Sequence, residues 1–136
     1  MAAAEPANKN AMVLNEVGTQ VIGAALAVHS ALGPGLLEGS YELCLAHELS
    51  KRRLHVRKQV IIPIHYDTLE IENGYRIDLL VNDSVVVELK AIEFVLPVHR
   101  GQVLSYLRLG GFKLGYLLNF NVPRMRDGIT RLVNGL

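Results

Sequence analysis

Tyr75-Arg76-Ile77-Asp78-Leu79-Leu80-Val81, then Asn82-Asp83-Ser84, then Val85-Val86-Val87-Glu88-Leu89-Lys90: this continuous stretch decides the fold. Two β-rich runs flank a turn-forming triplet, which predicts a hairpin. A side-chain period of two places Tyr75, Ile77, Leu79 and Val81 on one face, with Arg76 and Asp78 on the other. In the second run Val85, Val87 and Leu89 share a face, and Val86, Glu88 and Lys90 share the opposite one. If all three turn residues lie in the loop, Val81 pairs with Val85 and Asp78 stands opposite Glu88. Opposed residues of this kind have Cβ atoms ~4.5–5.5 Å apart, where two anions destabilise a sheet unless a positive charge joins them. A two-residue turn would oppose Asp78 to Val87 and scatter the group.

Two converging carboxylates suit Mg²⁺ (or Mn²⁺), a hard cation that takes oxygen ligands and keeps several waters. Such an ion can polarise a phosphoryl oxygen and activate bound water. Lys90, on the same face as Glu88, is placed to neutralise a phosphate oxygen or orient the attacking water. On spacing alone, an array of interstrand salt bridges is an equally good reading, with Arg76 and Lys90 balancing Asp78 and Glu88. The apolar character of both strands tips the balance towards a site, because buried like charges need a counter-charge or a function.

Working outward, Leu14, Val17, Val21, Ala24, Ala25, Val28 and Leu32 recur at helical spacing, and Gly33-Pro34-Gly35 ends that helix. A second helix is expected from about Leu36 to Arg53, with Tyr41, Leu45 and Leu49 along one stripe. Val56 to Tyr66 reads as a strand. Pro97 opens a helix through about Leu109 that Gly110-Gly111 stops. Lys113 to Phe120 reads as a strand, and Gly128 to Val133 as a short last element. Residues 1–10 read as a flexible tail and 11–136 as a single domain. The sum is one mixed α/β domain, a helix pair followed by strands, a helix and a strand.

The motifs resemble those of a known group. Asp78 followed by Glu88-Leu89-Lys90 resembles the D…(D/E)-X-K signature of the PD-(D/E)XK nuclease superfamily. Gly35-Leu36-Leu37-Glu38-Gly39-Ser40-Tyr41 matches G-x-x-E-x-x-Y, the motif that names the GxxExxY proteins, small bacterial members of that superfamily. Gly74 to Val81 and Asn119-Phe120-Asn121-Val122-Pro123 also resemble that group, so the similarity runs from about Leu14 to Val133. The resemblance implies a restriction-endonuclease-like core, a mixed central β-sheet flanked by helices, in which a helix adds an acid to the hairpin site. Glu38 is the matching residue. By position alone Glu38 reads as a favourable charge in the first turn of a helix, worth ~0.3–1 kcal/mol; the resemblance makes it a site carboxylate and metal ligand beside Asp78 and Glu88. Tyr41, three residues on, is placed to orient it. On the helix after Pro97, His99, Gln102 and Tyr106 form one stripe. Gln102 and Tyr106 resemble a pattern that lines the site in several branches of the superfamily, and a polar helix edge is the equal alternative.

Composition sets the limits. A chain of 136 residues, half of them hydrophobic and a fifth charged, suits one folded domain. The net charge of +1 argues against a broad basic face for nucleic acid, so any such site is local or shared across an oligomer. Lys51-Arg52-Arg53, with Arg57 and Lys58, is the one basic cluster; it reads first as a solvated helix end and second as a phosphate track. The single cysteine, Cys44, reads as a buried structural thiol. The histidines lack the paired spacing of a zinc site and read mostly as surface residues. The N-terminus does not read as a signal peptide, and no apolar run reaches the ~20 residues of a membrane span, so a cytoplasmic protein without membrane association is expected. The expectation is a Mg²⁺- or Mn²⁺-dependent phosphodiesterase acting on nucleic acid, DNA foremost, and homo-oligomeric. The rival is a non-catalytic, nucleic-acid-binding or self-assembling module of the same fold.

Overall fold

The computed structural model describes the backbone of residues 7–136 and the side chains of residues 13–136. Elements follow in the order α1 (Ala7–Leu32), α2 (Glu38–Lys51), β1 (Val56–Tyr66), β2 (Leu69–Val81), β3 (Val85–Lys90), α3 (Pro97–Gly110), β4 (Leu114–Asn119), a 3₁₀ turn (Met125–Gly128) and β5 (Ile129–Val133). α1 starts at Ala7, ahead of the expected Leu14; the first six residues of the expected tail lie outside the described residues. β2 also starts earlier than expected, because Leu69 to Gly74 continue a long ribbon with β1. No helix among the described residues is long and apolar enough to cross a membrane.

The five strands form one sheet in sequence order. β3 and β4 run parallel, joined by α3 as the crossover, while the other neighbours are antiparallel. The result is the mixed sheet flanked by helices of a restriction-endonuclease-like core. α1 and α2 cover one face: Val21, Ala25, Tyr41, Leu45 and Leu49 pack on Leu79, Val81, Val87, Leu89 and Leu118. α3 covers the other, where Val103 and Leu107 meet Val60, Ile77, Leu80, Val86 and Leu117.

The hairpin register is the one expected. Val81 pairs with Val85, Leu80 with Val86 and Leu79 with Val87. Asn82 and Asp83 both adopt positive φ (51° and 53°), which turns the chain while Ser84 is left over as the third loop residue.

The expected alternation along β2 fails in one place. Ile77 and Tyr75 pack with α3, whereas Leu79 and Val81 pack with α1 and α2, so they do not share a face. The break falls at Asp78. Opposite it in β1, Gln59 has φ 53°, and the ladder pairs Lys58 with Leu79 and Val60 with Ile77 but omits the Gln59–Asp78 pair. A non-glycine residue at positive φ costs roughly 1–3 kcal/mol and persists only where its surroundings hold it. Both strands therefore change face at the level of the acidic residues.

Candidate active site

The acidic residues meet where β2 and β3 part. The backbone pairing of these strands ends at Leu79–Val87, and side chains replace the next rung. Asp78 Oδ2 accepts the Leu89 backbone N–H at 3.0 Å, and the Asp78 N–H points at Glu88 Oε1 at 3.5 Å. Glu88 is 5% exposed, the most deeply buried acid among the described residues. Burial pushes its carboxyl up to about 8, the Asp78 charge adds to the rise, and Lys90 opposes it. Lys90 Nζ lies 3.9 Å from Glu88 Oε2, at the limit of an ion pair. Burial and the Asp78 charge together outweigh the pull of the Lys90 ammonium group, so the carboxyl sits well above the usual carboxylate range. Among the described residues no ion pair joins Arg76 to Asp78, which removes the four-charge array weighed above.

α2 brings two further acids. Its first residue, Glu38, is exposed at the helix N-terminus; partial burial and the Asp78 charge raise its pKa, while Lys90 lowers it. Glu42, one turn on, is raised by burial and by Asp78. Gln59 Nε2 donates to Glu42 Oε1 at 2.7 Å and to Asp78 Oδ1 at 3.4 Å. Neither Glu42 nor Gln59 was picked out by sequence reasoning. The i, i+4 spacing from Glu38 could have found Glu42; nothing local marks Gln59, whose backbone departs from a strand that its residue type does not predict.

Tyr41 does not orient Glu38 directly. It is fully buried, stacked on Phe120 with ring centroids 4.6 Å apart, and its hydroxyl is already engaged. That hydroxyl donates to the Gly33 carbonyl at 2.6 Å and accepts the Leu36 N–H at 3.1 Å. Gly35 has φ 97°, a conformation that only glycine adopts freely. The G-x-x-E-x-x-Y residues thus shape one loop: glycine turns it, tyrosine clamps it to the core, and the acid emerges at the helix start.

α3 closes the other side. Tyr106 is half-buried, stacked on Tyr75 at 4.5 Å; burial raises its pKa first, then the charges of Glu88 and Asp78, while a hydrogen bond with Gln102 lowers it. Gln102 lines a surface cleft with Lys90, Val98, His99, Gly101 and Ser105. Tyr106 thus feels the charges of Glu88 and Asp78, while Gln102 lies beside Tyr106 and Lys90. His99 instead caps its own helix, its Nδ1 accepting the Leu96 N–H at 2.9 Å.

A buried clamp fixes the strand that carries Lys90. Asn119, paired with Lys90 across β3 and β4, accepts the Ile92 N–H at 3.1 Å and donates to the Ile92 carbonyl at 2.9 Å. A Cβ on Gly128 would collide with the Asn119 carbonyl, so glycine is what lets the 3₁₀ turn close there.

The basic cluster is the solvated helix end expected first, while two other expectations change. Lys51 and Arg52 both reach Glu48, Arg52 also reaches Gln20 at 3.0 Å, and Arg57 pairs with Asp83 at 3.0 Å, so most of the basic cluster is internally engaged. Cys44 is half-buried rather than buried. His29 is buried, its Nε2 2.8 Å from the Val122 carbonyl oxygen.

The donor chemistry would suit a hard cation: two carboxylates meet, one of them buried and raised in pKa by that burial and by its neighbour's charge. Among the described residues no three His, Cys, Asp or Glu side chains converge as a ready cage. Asp78 and Glu88 are the carboxylates that meet in the fork, and Glu38 stands at the start of α2, where the Asp78 charge still raises its pKa.

A family model described as the PD-(D/E)XK nuclease superfamily matches residues 15–132. No curated protein and no solved structure matches the chain significantly.

Proposed function

The chain belongs to the PD-(D/E)XK nuclease superfamily, and from that premise we propose that it is a divalent-metal-dependent phosphodiesterase acting on nucleic acid, DNA foremost. The match to G-x-x-E-x-x-Y at Gly35, Glu38 and Tyr41 supports placing it among the GxxExxY proteins. The observation that carries the reading is the Asp78–Glu88 pair in the fork of β2 and β3, short of positive charge and within reach of Lys90.

Asp78 and Glu88 would hold Mg²⁺ or Mn²⁺, with Glu38 reaching its waters. When bound, that ion supplies Lewis-acid polarisation of a phosphoryl oxygen and acidifies water. The remaining work falls to side chains. Lys90 offsets negative charge that grows on the phosphate. Gln102 and Tyr106 offer donors from α3 to the same phosphate or its neighbour. Asn119 keeps the chain after Lys90 from drifting, which preserves the alignment on which the rate depends. Residues 11–136 act as one catalytic domain. A homo-oligomer is part of the proposal, supported by apolar side chains that the fold leaves exposed, including Leu37, Leu43 and Phe94.

The test is cleavage of a panel of single- and double-stranded DNA and RNA with Mg²⁺, Mn²⁺ or chelator, wild type against Asp78→Ala, with Mn²⁺ binding measured in parallel. Metal-dependent cleavage lost in the variant supports the reading; equal cleavage by both points to a contaminant. The low net charge and the internally engaged basic cluster favour the second reading, a non-catalytic module. Wild type that neither binds Mn²⁺ nor cleaves would establish that one.

A further inference from the structure

We propose that Gln59 is a positioning residue, a bridge through which Glu42 of α2 sets the aim of the Asp78 carboxylate. The inference rests on the metal-dependent reading given above. Gln59 Nε2 donates to Glu42 Oε1 at 2.7 Å and to Asp78 Oδ1 at 3.4 Å, so each N–H of one amide group serves a different carboxylate. The opposite amide orientation would turn the carbonyl oxygen towards two acids, and repulsion excludes it. Asp78 Oδ2 is meanwhile held by the Leu89 N–H at 3.0 Å. Both oxygens of the carboxylate are thus fixed by donors, each with a lone pair left for a cation. Partners that orient a ligand in this way are worth a large part of a site's affinity.

The backbone corroborates the role. Gln59 stands at φ 53° in the middle of a strand, where its pair with Asp78 is missing although the pairs on either side are formed. A strand that kept regular geometry there would carry the face of Val56 straight through to Val60, and those two residues in fact pack on opposite faces. The switch is what places the Gln59 amide between α2 and β2. Glu42 is the acid that tightens the bridge: its carboxylate takes the shorter of the two bonds and selects the amide orientation.

Positive φ makes a clean deletion available, because Gln59→Gly removes the amide while suiting the backbone. Its thermal stability should equal or exceed that of wild type, whereas its Mn²⁺ affinity by calorimetry should fall ~10- to 100-fold. Glu42→Gln should weaken Mn²⁺ binding in the wild-type background and add nothing once Gln59→Gly is present, since its effect passes through the bridge. Unchanged affinity in Gln59→Gly, or additive losses, would overturn the proposal. A metal-free measurement separates this from the function itself. In the apo protein the side-chain amide resonances of Gln59 should move in both Glu42→Gln and Asp78→Asn. If they move and wild type binds no Mn²⁺, the bridge stands and the metal reading falls. If they move in neither variant, the bridge is overturned whatever the metal does.

Discussion

Asp78 accepts the Leu89 backbone N–H at 3.0 Å, so a carboxylate stands where the neighbouring strand's carbonyl would in a continuous ladder. Asp78 therefore has two tasks, and they separate by chemistry. Holding the N–H of Leu89 requires an acceptor; holding a cation requires the negative charge. The relief of repulsion that a shortened acid would bring is set against an N–H left without its partner in a fully buried residue.

Asp78→Asn should keep the acceptor and unfold near the wild-type denaturant midpoint. Asp78→Ala should be less stable than Asp78→Asn by about 1–3 kcal/mol, the cost of an unsatisfied buried group. Both should lose Mn²⁺ binding. Urea denaturation of the three proteins checks this, and an Ala variant as stable as the Asn variant would show that Leu89 finds water instead.

Glu88 makes the free protein's stability depend on pH with an unusual sign. Its carboxyl is raised from 4.5 to about 8 by burial first and by Asp78 second, so the folded chain holds a proton that the unfolded chain releases. This contribution is fully present below the ordinary value and is lost as pH rises through about 8. Melting temperature should thus decline across that window, Glu88→Gln should flatten the decline, and added Mn²⁺ should stabilise most at the alkaline end. Thermal melts between pH 5 and pH 9 with and without Mn²⁺ measure all three; a flat wild-type profile would refute the raised pKa.

How much of this the sequence disclosed depends on how local each signal was. The hairpin register followed from Asn82-Asp83-Ser84, because turn chemistry acts over neighbouring residues. The stripe of Tyr41, Leu45 and Leu49 announced the buried side of α2 in the same way. The face change at Gln59 and Asp78 was not legible, since period two is a rule for regular strands and Gln59 leaves that geometry at positive φ. Tyr41 is the instructive case. Its spacing from Glu38 suggested a contact along the helix, but burial against Phe120 sent its hydroxyl back to the preceding loop.

That loop is a lever on the site. Tyr41→Phe removes a hydroxyl that serves both the Gly33 carbonyl and the Leu36 N–H, and should cost about 1–3 kcal/mol of stability. Gly35→Ala forces φ 97° on a residue with a Cβ and should loosen the same turn. Both should lower cleavage by displacing Glu38 while leaving the Asp78–Glu88 pair in place. Mn²⁺ affinity reduced less than turnover is the expected pattern, and equal reductions would assign Glu38 a stronger hold on the ion.

Lys90 offers the sharpest separation of binding from chemistry. Its ammonium group opposes the rise in the Glu88 pKa, so Lys90→Met should push that carboxyl higher still. The variant should bind Mn²⁺ more weakly than wild type at pH 7, where more of Glu88 stays protonated. As pH rises the carboxyl loses its proton in both proteins, later in the variant, so their affinities should draw together. Cleavage should not converge, because the charge that Lys90 offsets on the phosphate grows only in the transition state and a neutral thioether cannot replace it. A residual deficit of ~10²-fold in turnover at pH 9 and saturating Mn²⁺ is expected by comparison with the loss of one electrostatic donor. Full recovery of turnover at that pH would reduce Lys90 to a tuner of Glu88. A deficit in Mn²⁺ affinity that does not narrow as pH rises would instead make it a structural support of the site.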